Sequence, residues 1–306
     1  MTTAARSFWE LRVPTSPETS EGLTNFLWEQ GALGVVEEEL AGEAPRLRAF
    51  YPGAAAPGGL LSAVNEYRAG LAALGFPIGT AAPELGPLLD AEWASAWQQS
   101  FPPRPIGRRL LVLPPWEEML APSRLPVVIE PARAFGTGHH GSTEGCLALL
   151  DAASAGWSGT VAAPARVLDI GTGTGILAIA ALKLGAPRAR CIDIDPDAVA
   201  AAAHNAELNG CRGRMDLALA GPEEMAGEAP FDLVLANLLS HTHLTLASQY
   251  QRLVAPGGAL ILGGMLAEED GRVSDGLGPA GFSPEARVVV DGWSSVLLRR
   301  VACPGS

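Results

Sequence analysis

Apolar and polar positions follow two rhythms along this chain, and the rhythm changes near residue 127. Over the first 85 residues, short apolar runs are interleaved with two amphipathic stretches. Phe8–Val13 predicts a strand. Pro17–Gln30 predicts a helix, with Ser16 as N-cap ahead of a proline at the first helical position and Gly31 as the stop. Leu33–Glu38 and Leu47–Tyr51 predict strands, Leu60–Leu74 a helix closed by Gly75, and Ile78–Leu85 a last strand. The order βαββαβ is the split βαβ, ferredoxin-like α+β pattern, so residues 1–85 are expected to form one small domain.

Residues 86–126 read as a linker region. Within it, Asp90–Phe101 predicts a helix that places Trp93 and Trp97 on one face. Packing of that face onto a domain and recognition of a partner both fit. Prolines 102, 103, 105, 114, 115 and 122 break regular structure around a short strand at Arg109–Leu113.

From 127 to 306, strands alternate with helices. Strands are expected at Val127–Ile129, Arg166–Ile170, Arg190–Ile194, Phe231–Ala236 and Gly258–Gly263. Helices are expected at Gly141–Asp151, Ile176–Leu184, Asp197–Leu208 and His243–Val254. This alternation implies an α/β fold with a parallel, doubly wound sheet. A terminal hairpin, turning at Asp291-Gly292, adds an antiparallel strand at one side.

Composition narrows the function. With 306 residues, two domains are expected. Hydrophobic residues make up 48% and charged residues 18%, enough for a packed core and without a disordered charge run. The net charge of -12 argues against a nucleic-acid footprint, which needs clustered Lys and Arg, and suits a cationic partner. Cysteines 146, 191, 211 and 303 form no CxxC pair, so a reducing cytoplasm is expected. The N-terminus lacks the apolar core of a signal peptide, and no 18-residue apolar run marks a membrane span.

Two stretches carry chemistry. Glu130–Glu144, EPARAFGTGHHGSTE, has the glycines of a phosphate cradle, the histidines of a metal site and the make-up of a covering loop. Val167–Gly175, VLDIGTGTG, runs from a buried strand into a glycine-rich turn. Its spacing is G-x-G-x-G; Ile176 stands where the dinucleotide fingerprint has its third glycine. D-x-G-x-G-x-G from Asp169 looks like the first motif of class I S-adenosylmethionine-dependent methyltransferases. Asp193, 22 residues after Gly171, is placed to bind ribose hydroxyls, while Asp195 before Pro196 suits a helix N-cap. Asn237 ends the Phe231 strand, where a doubly wound sheet places chemistry; capping of the next helix is the competing role. His139, His140, His241 and His243 have no identifiable partner in the sequence. Neither histidine pair has a cysteine at ligand spacing, so no metal site and no catalytic base are assigned.

Taken together, EPARAFGTGHHGST, VLDIGTGTGILAIAALKLGA, CIDIDPDAVAAAAHNAELNG and the strand ending Ala236-Asn237-Leu238-Leu239 resemble the PrmA family, methyltransferases of large-subunit ribosomal protein eleven. The clear resemblance covers roughly residues 90–265. It implies a Rossmann-like catalytic domain over 127–306 with a mostly parallel seven-stranded sheet, preceded by a substrate-recognition domain. It also implies S-adenosylmethionine as donor and lysine or N-terminal amines of the ribosomal protein as acceptors. The cofactor contacts fall by position on Thr143, Gly171, Asp193 and Asn237. A cytoplasmic monomer without nucleic-acid or membrane contact is expected. A class I methyltransferase acting on another protein or a small amine stays open. Gly141 stands where the family commonly has proline, and Ser142-Thr143 where it often has Thr-Thr.

Overall fold

The computed structural model describes residues 7–32, 34–38, 45–53, 57–79, 81–89, 101–117, 123–131, 140–156, 163–225 and 227–301. The chain divides into two compact units, Met1–Phe101 and Pro102–Ser306.

The first unit contains β1 (Ser7–Pro14), α1 (Pro17–Glu29), β2 (Gly34–Glu38), β3 (Arg46–Pro52), α2 (Leu60–Ala73) and β4 (Glu84–Leu89). Its four strands lie in the order β2-β3-β1-β4, every pair antiparallel. Alternate residues Leu11, Val13, Leu47 and Ala49 pack against Leu23, Leu27, Leu60 and Val64 of the two helices. Helix α1 starts as expected, with Pro17 in its first turn and the Ser16 N–H donating to Thr19 Oγ1 at 3.1 Å.

The last strand is shifted from its expected place at Ile78–Leu85. Arg68 explains this: its guanidinium donates to the carbonyls of Ile78 (2.6 Å), Gly79 (3.2 Å) and Ala81 (3.1 Å) and holds that stretch out of a ladder. β4 instead carries Pro87, tolerated because β4 is an edge strand pairing only with β1. A boundary at 85 would cut through β4. The expected helix with Trp93 and Trp97 lies outside the described residues.

The second unit opens with a small sheet of β5 (Arg104–Ile106), β6 (Leu110–Leu113) and β7 (Leu125–Val128), in that order. The short strand expected at Arg109–Leu113 is β6, here one of three. All four residues of β6 are buried, and Arg109 donates to Asp151 Oδ1 at 2.8 Å, tying the turn to the next helix.

There follow α3 (Gly141–Ala153), β8 (Val167–Ile170), α4 (Ile176–Lys183), β9 (Ala189–Asp193), α5 (Pro196–Leu208), β10 (Met215–Leu219), β11 (Phe231–Asn237), α6 (Ser240–Thr245), α7 (Ala247–Leu253), β12 (Val254–Leu266), α8 (Asp270–Leu277), β13 (Phe282–Val290) and β14 (Trp293–Arg300). The seven-stranded sheet has the order β10-β9-β8-β11-β12-β14-β13. Pairing is parallel from β10 to β12, and β14 is antiparallel to both neighbours. This is a mixed, Rossmann-like α/β sheet. Both faces are buried: Leu233 and Leu235 enter one core with α3 and α4, Val234 and Ala236 the other with α7 and α8. Such strands read as continuous apolar runs.

The expected helix over His243–Val254 is two short helices meeting at Leu246. The apolar pattern does not announce β10 or α8; Met215–Leu219 is an edge strand with one buried side chain, too weak a signal to stand out. The hairpin turn is as read, with Asp291 and Gly292 at φ +49° and +80°, the type I′ arrangement.

Candidate active site

β8 delivers the chain to the point where the strand order reverses, between β8 and β11. There Gly171, Gly173 and Gly175 take φ of +66°, +53° and +81°. The loop is anchored by the N–H groups of Gly171 and Thr172, which donate to the Ile192 carbonyl at 2.9 and 3.0 Å. A Cβ on Gly171 would lie 2.6 Å from Leu238 Cδ2, so the loop is closed against the residue after Asn237. Ile176, at the third-glycine position of the dinucleotide pattern, is a buried core residue. The loop contains no Lys or Arg to neutralise a phosphate.

Asp169 ties this loop to α4. It is 1% exposed, and its Oδ2 accepts from the Thr172 hydroxyl (2.8 Å) and the Ala178 N–H (3.2 Å). Its Oδ1 is buried and has no hydrogen-bond partner among the described residues. Burial pushes the carboxyl up to about 7. In the sequence it is a motif letter without a role.

Asp193 ends β9 and is half-buried. Its Oδ2 accepts from the Gly173 N–H (2.9 Å) and its Oδ1 from the Asp195 N–H (3.0 Å). Asp195 Oδ1 in turn accepts from the Asp197 N–H at 2.8 Å, making Asp195 the cap of α5. Ile194 between them is 81% exposed, an apolar surface beside a carboxylate that no sequence motif singles out.

Asn237 ends β11. Its Nδ2 donates to Thr143 Oγ1 at 3.2 Å, and Thr143 lies fully buried in the first turn of α3. Asn237 Oδ1 is buried with no hydrogen-bond partner among the described residues. A Cβ on Gly263 or Gly264 would sit 2.9 or 3.1 Å from that oxygen, so the neighbouring strand can pass only because it is glycine there. A buried amide oxygen left unpaired is costly unless a ligand donor fills it.

The fold gives the histidines partners that the sequence does not show. His140 caps α3: its Nδ1 lies 2.8 Å from Ser142 Oγ and accepts from the Ser142 N–H, and its ring centroid is 4.5 Å from that of Trp293. Burial pulls it down to about 4, against the opposing field of Asp291. His243 is fully buried. Its Nε2–H donates to the Gly263 carbonyl (2.8 Å) and its Nδ1 accepts from the Tyr250 hydroxyl (2.9 Å), which fixes a neutral tautomer. Burial pulls it, too, down to about 4. His241 is exposed, 3.3 Å from Thr242 Oγ1. His139, Gly136 and Gly138 lie outside the described residues. Among the described residues, no three His, Cys, Asp or Glu side chains are grouped to hold a metal ion.

The four expected site residues thus come from four separate segments to the carboxyl ends of β8, β9 and β11. Thr143 touches Asn237, Gly171 abuts Leu238, and Asp193 holds Gly173.

The profile of the ribosomal protein L11 methyltransferases (PrmA) matches residues 7–301 of this chain. The chain belongs to that family. The ribosomal protein L11 methyltransferase of Geotalea daltonii is 44% identical over 200 residues, 63% of each chain, so that alignment spans just under two thirds of the relative's length. The ribosomal protein L11 methyltransferase of Geotalea uraniireducens is 34% identical over 296 residues, covering 90% of this chain and 93% of the relative. Among solved structures, a ribosomal protein L11 methylase from Lactobacillus delbrueckii subsp. bulgaricus aligns with a TM-score of 0.57 at 27% identity, over 65% of this chain and 98% of that one. The glycine loop and the Asn237 oxygen, unpaired among the described residues, lie at the carboxyl ends of the strands, where a doubly wound sheet places its ligands.

Proposed function

We propose that this chain transfers methyl groups from S-adenosylmethionine to lysine or N-terminal amines of ribosomal protein L11. The observation that carries the reading is the buried Asn237 Oδ1, unpaired among the described residues, beside a glycine loop without Lys or Arg, in a PrmA family member. The residues fit the donor. Gly171 and Gly173 let the chain turn tightly at the end of β8, and Gly171 is half-buried at the tip of the turn. Asp193, with one donor on each oxygen, keeps lone pairs for ribose hydroxyls. Ile194 offers apolar surface to a purine. Thr143 stands at the α3 N-terminus, where a carboxylate is favoured.

The bound donor supplies a methyl group on a sulfonium, already activated for in-line displacement. The chain's part is positioning. Thr143 Oγ1 takes the Asn237 Nδ2–H, which leaves Asn237 Oδ1, without a partner among the described residues, as the acceptor read here for an N–H of the incoming amine. That contact aims the nitrogen lone pair. The acceptor must be neutral, and deprotonating a lysine at pH 7 costs about 4–5 kcal/mol. Desolvation lowers this by disfavouring the ammonium. His140 and His243 are committed to a helix cap and to a core hydrogen-bond pair, so proton removal is left to water.

The N-terminal unit is read as a ferredoxin-like substrate-recognition domain; its strand order β2-β3-β1-β4 and two helices support this. Among the described residues no helix is long and apolar enough to cross a membrane. A cytoplasmic monomer that makes no contact with nucleic acid is part of the same reading. The test is tritiated S-adenosylmethionine offered with unmethylated L11 and, separately, with a panel of small amines and unrelated basic proteins. Label is expected in L11 alone; label only in the panel would replace L11 with another acceptor.

A further inference from the structure

Two buried asparagines stand one turn apart at the end of α5, Asn205 in its last turn and Asn209 as its C-cap. Asn205 is 1% exposed, and its amide serves two separate stretches of backbone. Oδ1 accepts from the Glu130 N–H at 2.9 Å, and Nδ2 donates to the Thr174 carbonyl at 2.9 Å, inside the glycine loop. Asn209 behaves differently. Its Oδ1 accepts from the Val128 N–H (2.9 Å) and its Nδ2 donates to the Val128 carbonyl (2.6 Å) and to the Asn205 carbonyl (2.8 Å). It pairs with β7 as a neighbouring strand would, and β7 is an edge strand of its own sheet.

The location of Asn205 is what separates the two. Thr174 lies between Gly173, held by Asp193, and Gly175, whose added Cβ would be 3.2 Å from Ala202 Cβ on α5. A loop with glycines at three left-handed positions has much freedom to lose. Backbone N–H groups hold it at Gly171, Thr172, Gly173 and Gly175, and Asn205 holds the carbonyl of Thr174. Asn205 also ties that carbonyl to Glu130, in the sequence that leads on to α3, where Thr143 meets Asn237.

We propose that Asn205 is a positioning residue for donor binding: its amide preorganises the glycine loop by fixing Thr174 to Glu130. Asn209 secures β7 without acting on the loop. A preorganised loop has less entropy to lose when a ligand binds. The inference rests on the donor site proposed above.

The test compares matched substitutions in the full-length chain. Asn205→Asp keeps the acceptor for Glu130 and replaces the donor toward Thr174 by an oxygen; Asn209→Asp does the same against Val128. Three quantities are read: amide hydrogen exchange at residues 171–175 without ligand, melting temperature, and calorimetric affinity for S-adenosylhomocysteine. Asn205→Asp is expected to speed exchange in the loop and weaken S-adenosylhomocysteine about tenfold. Asn209→Asp, at a comparable drop in melting temperature, should change neither. Asn205→Ala is the second variant: it removes the donor toward Thr174 even if the buried carboxyl of Asn205→Asp keeps a proton or prevents folding, and is expected to speed loop exchange and weaken S-adenosylhomocysteine in the same way. Loop exchange or affinity that tracks melting temperature equally in both positions overturns the proposal, as does an unchanged loop in the Asn205 variants. A wild-type chain that takes up no S-adenosylhomocysteine overturns the donor site instead, and loop exchange still decides whether Asn205 is the anchor.

Discussion

Glycine does opposite work on the two sides of the site. In the loop after β8, proposed to hold the donor, Gly171, Gly173 and Gly175 have positive φ, a backbone state that costs an L residue about 1–2 kcal/mol. On the other side, where α3 meets the β13–β14 hairpin, Gly141 and Gly145 are ordinary helical residues. What they supply is room. A Cβ on Gly141 would press on the Val290 carbonyl, and one on Gly145 would lie 2.5 Å from Ser295 Oγ. The first kind of glycine is required by the chain's own path, the second by what another element brings against it.

Asn237 stands where the two sides meet, touching Thr143 of α3 and followed by Leu238, which abuts Gly171. It should give the largest effect. Asn237→Ala is expected to lower methyl transfer on the order of 10²-fold. A radiolabelled methyl assay checks this, and turnover near wild type would remove Asn237 from the acceptor's path.

The two kinds of glycine should separate under substitution. Gly141→Ala forces a methyl onto backbone that cannot retreat, and should lose about 1–3 kcal/mol of stability while donor affinity holds. Gly171→Ala meets only the tip of Leu238 but inherits the strained φ, and should weaken the donor about tenfold with a loss of only about 1–2 kcal/mol in stability. Guanidinium denaturation and calorimetry read both quantities; matching profiles for the two variants would collapse the distinction.

Asp169 yields a smaller, pH-dependent effect beneath the donor loop. Its carboxyl is raised from 3.8 to about 7, chiefly by burial, so the folded chain holds that proton more tightly than the unfolded one. The stabilisation is fully present below about pH 4 and is lost as pH rises through 7. Asp169→Asn keeps an acceptor for Thr172 and Ala178 and cannot ionise. Between pH 5 and 8 its stability should fall less than that of wild type, by on the order of 1–2 kcal/mol. Parallel curves would mean that Asp169 is ionised throughout.

Much of the donor side is legible in the sequence. The spacing of Gly171, Gly173 and Gly175, the acid at Asp193, the cap at Asp195 and the turn at Asp291-Gly292 are local backbone demands, each written in adjacent letters. The histidines are not legible in that way. His140 and His243 look alike in the sequence as unpartnered imidazoles, yet one caps α3 against Trp293 and the other is locked between Tyr250 and Gly263. Trp293 and Gly263 come from strands remote from either histidine in the chain, so no local pattern connects them. The strand at Leu110–Leu113 is legible between the prolines, but its burial with Ile106 and Val127 is not.

The sequence by itself determined most of the alternation of strands and helices, the turn of the glycine loop and the residues that end β9 and β11. Those follow from dihedral preference and apolar periodicity, which act over a few neighbouring residues. Only the tertiary structure decided that Asn205 would bind Thr174 to Glu130, that Gly141 and Gly145 must lack a side chain, and that Asn237 Oδ1 would be buried and, among the described residues, unpaired. Each of these depends on which atoms arrive from a distant segment, and no local pattern records that.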